Sequence, residues 1–158
     1  ARTATEVLLH AAVPVALIRA GTMVDGWVVT EITAEPSAAD VLRAAVKEAV
    51  LRRRPLRVIL GSTDSATNVV AHVALRERAQ RDIAEAAERF PGLDVAVLPT
   101  GWTIGEFLRS HRPKIGLFVA APAYRQEVGQ LLHASAAAAL RLLECPVLII
   151  HRGGTHDG

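Results

Sequence analysis

Apolar positions along the chain alternate between short unbroken runs and stripes that repeat every three or four residues. This is the pattern of strands and helices taking turns around a parallel sheet. Trp27-Val28-Val29-Thr30-Glu31-Ile32 reads as a strand. Pro36 then precedes Ser37-x-x-Asp40, a variant capping box, and Val41, Leu42, Ala45, Val46, Ala49 and Val50 form one apolar stripe. That helix ends in Arg52-Arg53-Arg54 and is stopped by Pro55. Arginines in a last turn complement the free carbonyls and the negative end of the helix dipole, so they are assigned to the helix and not to an anionic ligand. Leu56 to Leu60 is the second strand, followed by a polar turn from Gly61 to Ser65. A long helix is predicted over Asn68 to Arg89, with Val69, Val73, Ile83 and Ala87 inward and charges outward, and Pro91-Gly92 breaks it. Leu93 to Leu98 is the third strand, and Thr103-x-x-Glu106 is a full capping box for a short helix reaching Ser110. Lys114 to Val119 is the fourth strand, Ala120 to Gln130 a loop, His133 to Leu143 the last helix and Val147 to His151 the fifth strand. Right-handed crossovers fold this order into an α/β domain: a doubly wound five-stranded parallel sheet, order 3-2-1-4-5, with helices on both faces.

One stretch occurs twice. Ala4, Leu8, Pro14, Val15, Ile18 and Gly21 recur 132 positions later as Ala136, Leu140, Pro146, Val147, Ile150 and Gly153, each time as a helix leading through Pro-Val into a short apolar strand. The first copy lacks everything that precedes the second, so the repeat is read as domain-sized. Residues 1–21 are expected to be the closing helix and strand of a preceding domain, 22–153 a complete domain, and 154–158 a flexible glycine-rich tail.

Composition narrows the classes of function. The 158 residues, 51% of them hydrophobic, suffice for one well-filled core. A net charge of +2 and a pI near 9.2 fall short of the dense basic stripe that phosphate-backbone binding needs, so no nucleic-acid partner is expected. Apolar stretches such as Val7 to Ile18 are shorter than the roughly 20 residues of a spanning helix, so no membrane insertion is expected. The single cysteine, Cys145, stands beside Pro146 and reads as an inert buried thiol in a reducing cytoplasm.

No catalytic or metal constellation emerges. His10, His72, His111 and His133 are dispersed, without the three or four converging ligands of a zinc site. Asp64, Ser65 and His72 lack the strand-turn-helix elbow that presents a nucleophilic serine. Ligands of doubly wound sheets collect at the carboxyl ends of the strands, where Thr33, Glu35, Tyr124, Arg125 and His133 are expected to surround a cleft.

The residues as a set resemble the universal stress protein family. The resemblance runs through the Val-Val strand with Pro36-Ser37 after it, Leu56-Arg57-Val58-Ile59, Leu98-Pro99-Thr100-Gly101, and above all the small-residue helix entering Cys145-Pro146-Val147-Leu148-Ile149-Ile150. Residues 1–19 are similar to the end of another such domain, as in the family's tandem proteins. Nucleotide-binding members carry an acid after the first strand and Gly-x2-Gly-x9-Gly-(Ser/Thr) after the fourth, where bare backbone lets amides approach phosphates. Aligned from Pro146-Val147, this chain has Thr33 at the acid and Ala120, Ala123, His133 and Ala134 at the motif positions, with Ser135 one place on. Each alanine adds a Cβ, and Pro122 removes an N–H. The resemblance therefore implies a cytoplasmic, non-enzymatic stress-response or regulatory domain with a degenerate nucleotide motif and no cofactor. The rival readings are an adenine-nucleotide binder for ATP or AMP with altered phosphate contacts, and a cytoplasmic regulatory domain of a membrane transporter. The resemblance also implies dimerisation through antiparallel last strands, with a homodimer or a tandem domain as partner. Val15 and Leu17 are expected to pair with Val147 and Ile149 across that seam, in cis or between chains.

Overall fold

The computed structural model describes residues 13–18, 25–34, 36–61, 69–98, 104–121 and 146–150. Its strands are β1 (Val15–Leu17), β2 (Trp27–Ile32), β3 (Leu56–Leu60), β4 (Val95–Val97), β5 (Ile115–Ala120) and β6 (Val147–Ile149). The helices are α1 (Ala38–Arg52), α2 (Val69–Arg89) and α3 (Ile104–His111). They form one sheet of order β1-β6-β5-β2-β3-β4, parallel throughout except for the antiparallel pair β1–β6. Counted from β2, the five parallel strands have the order expected from the alternating pattern, and β1 is the antiparallel addition at the β6 edge.

Burial on both faces explains why the strands read as continuous apolar runs. Val28 and Ile32 of β2, Leu56 and Val58 of β3 and Leu117 and Val119 of β5 meet the α1 stripe and Leu75 and Ala79 of α2. Their neighbours Val29, Ile59, Phe118, Val147 and Ile149 point the other way, against Phe107 and Leu108 of α3. The one buried polar residue among those described is Thr30, whose Oγ1 donates to the Val119 carbonyl at 2.9 Å. A satisfied hydroxyl is tolerable there, whereas an unpaired one would cost about 1–3 kcal/mol.

Several local expectations need correction. Ser37 makes no side-chain cap hydrogen bond, because its backbone is already in the helical region (φ −75°, ψ −10°). Asp40 accepts from Arg43 at 3.0 Å in place of closing a capping box. The inner stripe of α2 is Leu75, Ala79, Ile83 and Ala86, while Val69 and Val73 are exposed. At about 100° per residue those two valines fall well to one side of that stripe. Leu93 belongs to the turn after α2, its N–H bonded to the Phe90 carbonyl, so β4 is shorter than the apolar run. A 3-10 turn, Arg112–Lys114, pushes the start of β5 to Ile115. The predicted helices around residues 4–12 and 133–143, the tail, and Thr103 of the capping box lie outside the described residues.

The end of α1 is built unusually. Arg53 sits in the left-handed region (φ 53°, ψ 46°), the position that glycine normally takes at a helix end. Its N–H donates to the Val50 carbonyl and that of Arg54 to the Ala49 carbonyl, satisfying two carbonyls of the last turn. The flanking arginines are engaged: Arg52 with Glu48 at 3.0 Å, and Arg54 with Asp25.

Candidate functional site

The topological switch point lies between β2 and β5, whose carboxyl ends sit side by side. Thr33 follows β2 and is half-buried; Ala120 ends β5 and is buried. The Ala120 carbonyl accepts from Ile150 N–H at 2.9 Å, and its methyl belongs to the core on the α3 side. Where a phosphate cradle calls for bare backbone, this position is filled and its carbonyl is committed. Gly61, at the end of β3, adds a constraint that periodicity did not reveal. A Cβ there would stand 2.9 Å from Glu31 Oε1 and 3.1 Å from the Thr33 methyl. Glu31 thus borders the same strand ends. Ala123, His133, Ala134 and Ser135 lie outside the described residues, as do Glu35, Tyr124 and Arg125.

All four seam residues are brought together at the other edge. Val15 pairs with Ile149, Ala16 with Leu148 and Leu17 with Val147. Val147 and Ile149 are fully buried, and Leu17 packs against the cluster that contains them and Phe118. The register has an internal symmetry. Exchanging each residue for its repeat partner 132 positions away maps the Val15–Ile149 pair onto Leu17–Val147, and Ala16–Leu148 onto itself. The two copies of the Pro-Val strand therefore meet about a local two-fold axis between Ala16 and Leu148.

At the amino end of the sheet a third grouping joins residues far apart in sequence. Arg57 makes two hydrogen bonds to the Asp94 carboxylate, at 3.2 and 3.0 Å. The hydrogen bond from Arg57 holds the Asp94 carboxyl below its ordinary range; burial opposes this, and the Arg57 charge adds to it. Arg57 and Lys114 also lie over the Trp27 ring, at 5.2 and 5.4 Å. His111 stacks on Phe107 with ring centroids 4.4 Å apart. The indole covered by two cations ties the starts of β2, β3 and β5 together. Among the described residues there is no cluster of three histidine, cysteine or acidic side chains fit to hold a metal, and no helix long and apolar enough to cross a membrane.

The class defined by these features is a doubly wound α/β domain with an antiparallel edge strand added beside its last parallel strand. No family model matches the chain. Two curated relatives, the universal stress proteins MT2699 and Rv2624c of Mycobacterium tuberculosis, are each 28% identical over 156 residues. That alignment takes in 95% of this chain and 55% of theirs, so the chain spans about half the length of the curated relatives it matches. A universal stress protein from Archaeoglobus fulgidus superposes with a TM-score of 0.64 at 19% identity, over 95% of this chain and 54% of that one. A universal stress protein solved in complex with cAMP superposes with a TM-score of 0.57 at 20% identity, over 80% of this chain and 97% of that one. The chain is a universal-stress-protein-like chain and has the fold of that family.

Proposed function

We propose that this is a non-enzymatic regulatory domain of universal-stress-protein type, cytoplasmic, that works by association across its last-strand edge. In this reading residues 22–153 are the complete domain, and β1 is the closing strand of a preceding one. The observation that carries it is the two-fold register of β1 on β6, in which two copies of one strand motif meet as the last strands of two related domains would. Coverage supports it as well. A shorter neighbour is matched nearly whole by 80% of this chain, whereas a longer one takes 95% of this chain onto about half of its own length. Because β1 already occupies the β6 edge, a tandem partner fits better than a homodimer through β6. The nucleotide place is read as degenerate, from Thr33 in the acid position and the filled, committed Ala120.

Sedimentation tests the association. A variant lacking residues 1–21 bares the β6 edge and is expected to dimerise, while the full chain stays monomeric at the same concentration. A truncated chain that folds and remains monomeric would contradict the reading. The second reading, a nucleotide binder, is favoured by the neighbour solved with cAMP. Calorimetric titration with ATP, AMP and cAMP separates the two: the degenerate site gives no saturable heat, and saturable micromolar binding of any of them selects the second.

A further inference from the structure

Charged side chains gather at the amino ends of β3 and β4. A cleft of about 510 Å³ opens there between the end of α1 and the turn after α2. Its volume lies in the range of about 300–1,000 Å³ usual for small-molecule sites. Val50, Pro55, Pro91 and Leu93 supply an aliphatic lining; Arg53, Arg54, Arg89 and Asp94 supply the charges. Two of these charges are already matched, Arg54 by Asp25 and Asp94 by Arg57. Arg53 and Arg89 have no carboxylate partner among the described residues. The Arg89 guanidinium lies over the Phe90 ring, 5.7 Å from its centroid, a cation–π contact that leaves N–H groups for a planar acceptor.

Arg53 carries the second observation. It is the one non-glycine residue with positive φ among those described. The cap at the end of α1 is made by backbone N–H groups, which glycine would supply with less strain. The guanidinium is therefore unnecessary to the cap, and what it adds is a cation on the cleft. Backbone strain retained at a cleft is a pointer to use.

We propose that this cleft binds a small organic carboxylate with an aliphatic body, its head held by Arg53 and Arg89 and its chain lying along Val50, Pro55, Pro91 and Leu93. Two guanidiniums without a carboxylate partner among the described residues match one carboxylate better than a polyphosphate. The one aromatic face of the lining is already covered by Arg89, so the cleft offers an aliphatic body more than a base-stacking platform. Both helices bring their carboxyl ends to this region, and helix ends of that polarity favour cations. Attraction for the anion thus rests on the two arginines and weakens when either is removed.

Titration of the full chain with octanoate, followed by amide shifts in NMR and by calorimetry, tests the proposal. Octanoate is expected to bind saturably, one per chain, with shifts at residues 49–55 and 89–94. Octanol, which lacks the charge, and acetate, which lacks the body, should bind at least about tenfold more weakly, since each forfeits one of the two contributions. Arg53→Gly separates site from scaffold: it should melt about 2–4 °C higher as the backbone relaxes, yet bind octanoate at least tenfold more weakly. Arg89→Gln should weaken binding to the same degree. Octanol binding as well as octanoate, both variants binding like the parent chain, or no saturable binding would each overturn the proposal.

Discussion

Three glycines stand in such different surroundings that alanine at each tests the packing directly. Gly26, just before β2, has φ +142°, and a Cβ there would meet Gly116 N and Lys114 O at 2.7 Å. Both are backbone atoms at the start of β5, next to the Trp27–Ile115 pair where the β2–β5 register shifts. Neither can swing aside like a side chain. The disfavoured backbone costs about 1–3 kcal/mol, and forcing two strand ends apart costs about 1–3 more. Gly26→Ala should therefore lose about 2–6 kcal/mol, roughly 4–24 °C in Tm at about 2–4 °C per kcal/mol for a chain of this size. At Gly61 the closest atom is a carboxylate oxygen of Glu31, which can rotate, so Gly61→Ala should cost only about 1–2 kcal/mol. Around Gly92 there is nothing within 4 Å, and alanine should be neutral or gain about 0.4–1 kcal/mol by restricting the unfolded chain. Urea unfolding followed by circular dichroism reads all three, with an unchanged m-value certifying a common two-state transition. A loss below about 1 kcal/mol at Gly26, or a ranking in which Gly92 suffers most, would refute the close approach of these strands.

Two further perturbations probe the core and the charged end of the sheet. Phe118→Ala empties a fully buried site on the central strand and should cost about 3–5 kcal/mol in the same urea assay. Asp94 should contribute to acid sensitivity. Because its folded carboxyl titrates below the ordinary 3.8, its stabilising contribution is complete above that value and is lost as pH falls through the lower folded pKa. Asp94→Asn should flatten that part of the acid limb of a Tm-against-pH curve and leave the neutral limb parallel to the parent.

Alternating periods made the five-stranded order readable, since an apolar run followed by a stripe leaves few topologies once crossover handedness is imposed. The seam residues were readable too, because the repeat places Val15 and Leu17 in the roles of Val147 and Ile149 and the family resemblance implies antiparallel last strands. Position on a helix was harder. Val69 and Val73 are more hydrophobic than Ala79, yet Ala79 is buried and the valines are exposed, because Ala79 shares the inward face with Leu75 and Ile83 and the valines fall to one side of it. Ser37 had the right side chain for a cap but the wrong backbone, and sequence reports only the former. Around the candidate sites the missing signal is distance along the chain. Arg57 and Asp94 are 37 residues apart, and Gly61 matters only because Glu31 comes back beside it.

The β1–β6 register has a consequence for how this edge can change. Where two identical strands meet about a two-fold axis, every off-axis substitution appears twice, so a bad fit is doubled and a good one must suit both halves. Here the halves are separate stretches of one chain, and each position can vary alone. The residues on the axis record that freedom. Ala16 faces Leu148, a small side chain opposite a large one, a combination no pair of identical strands can place there.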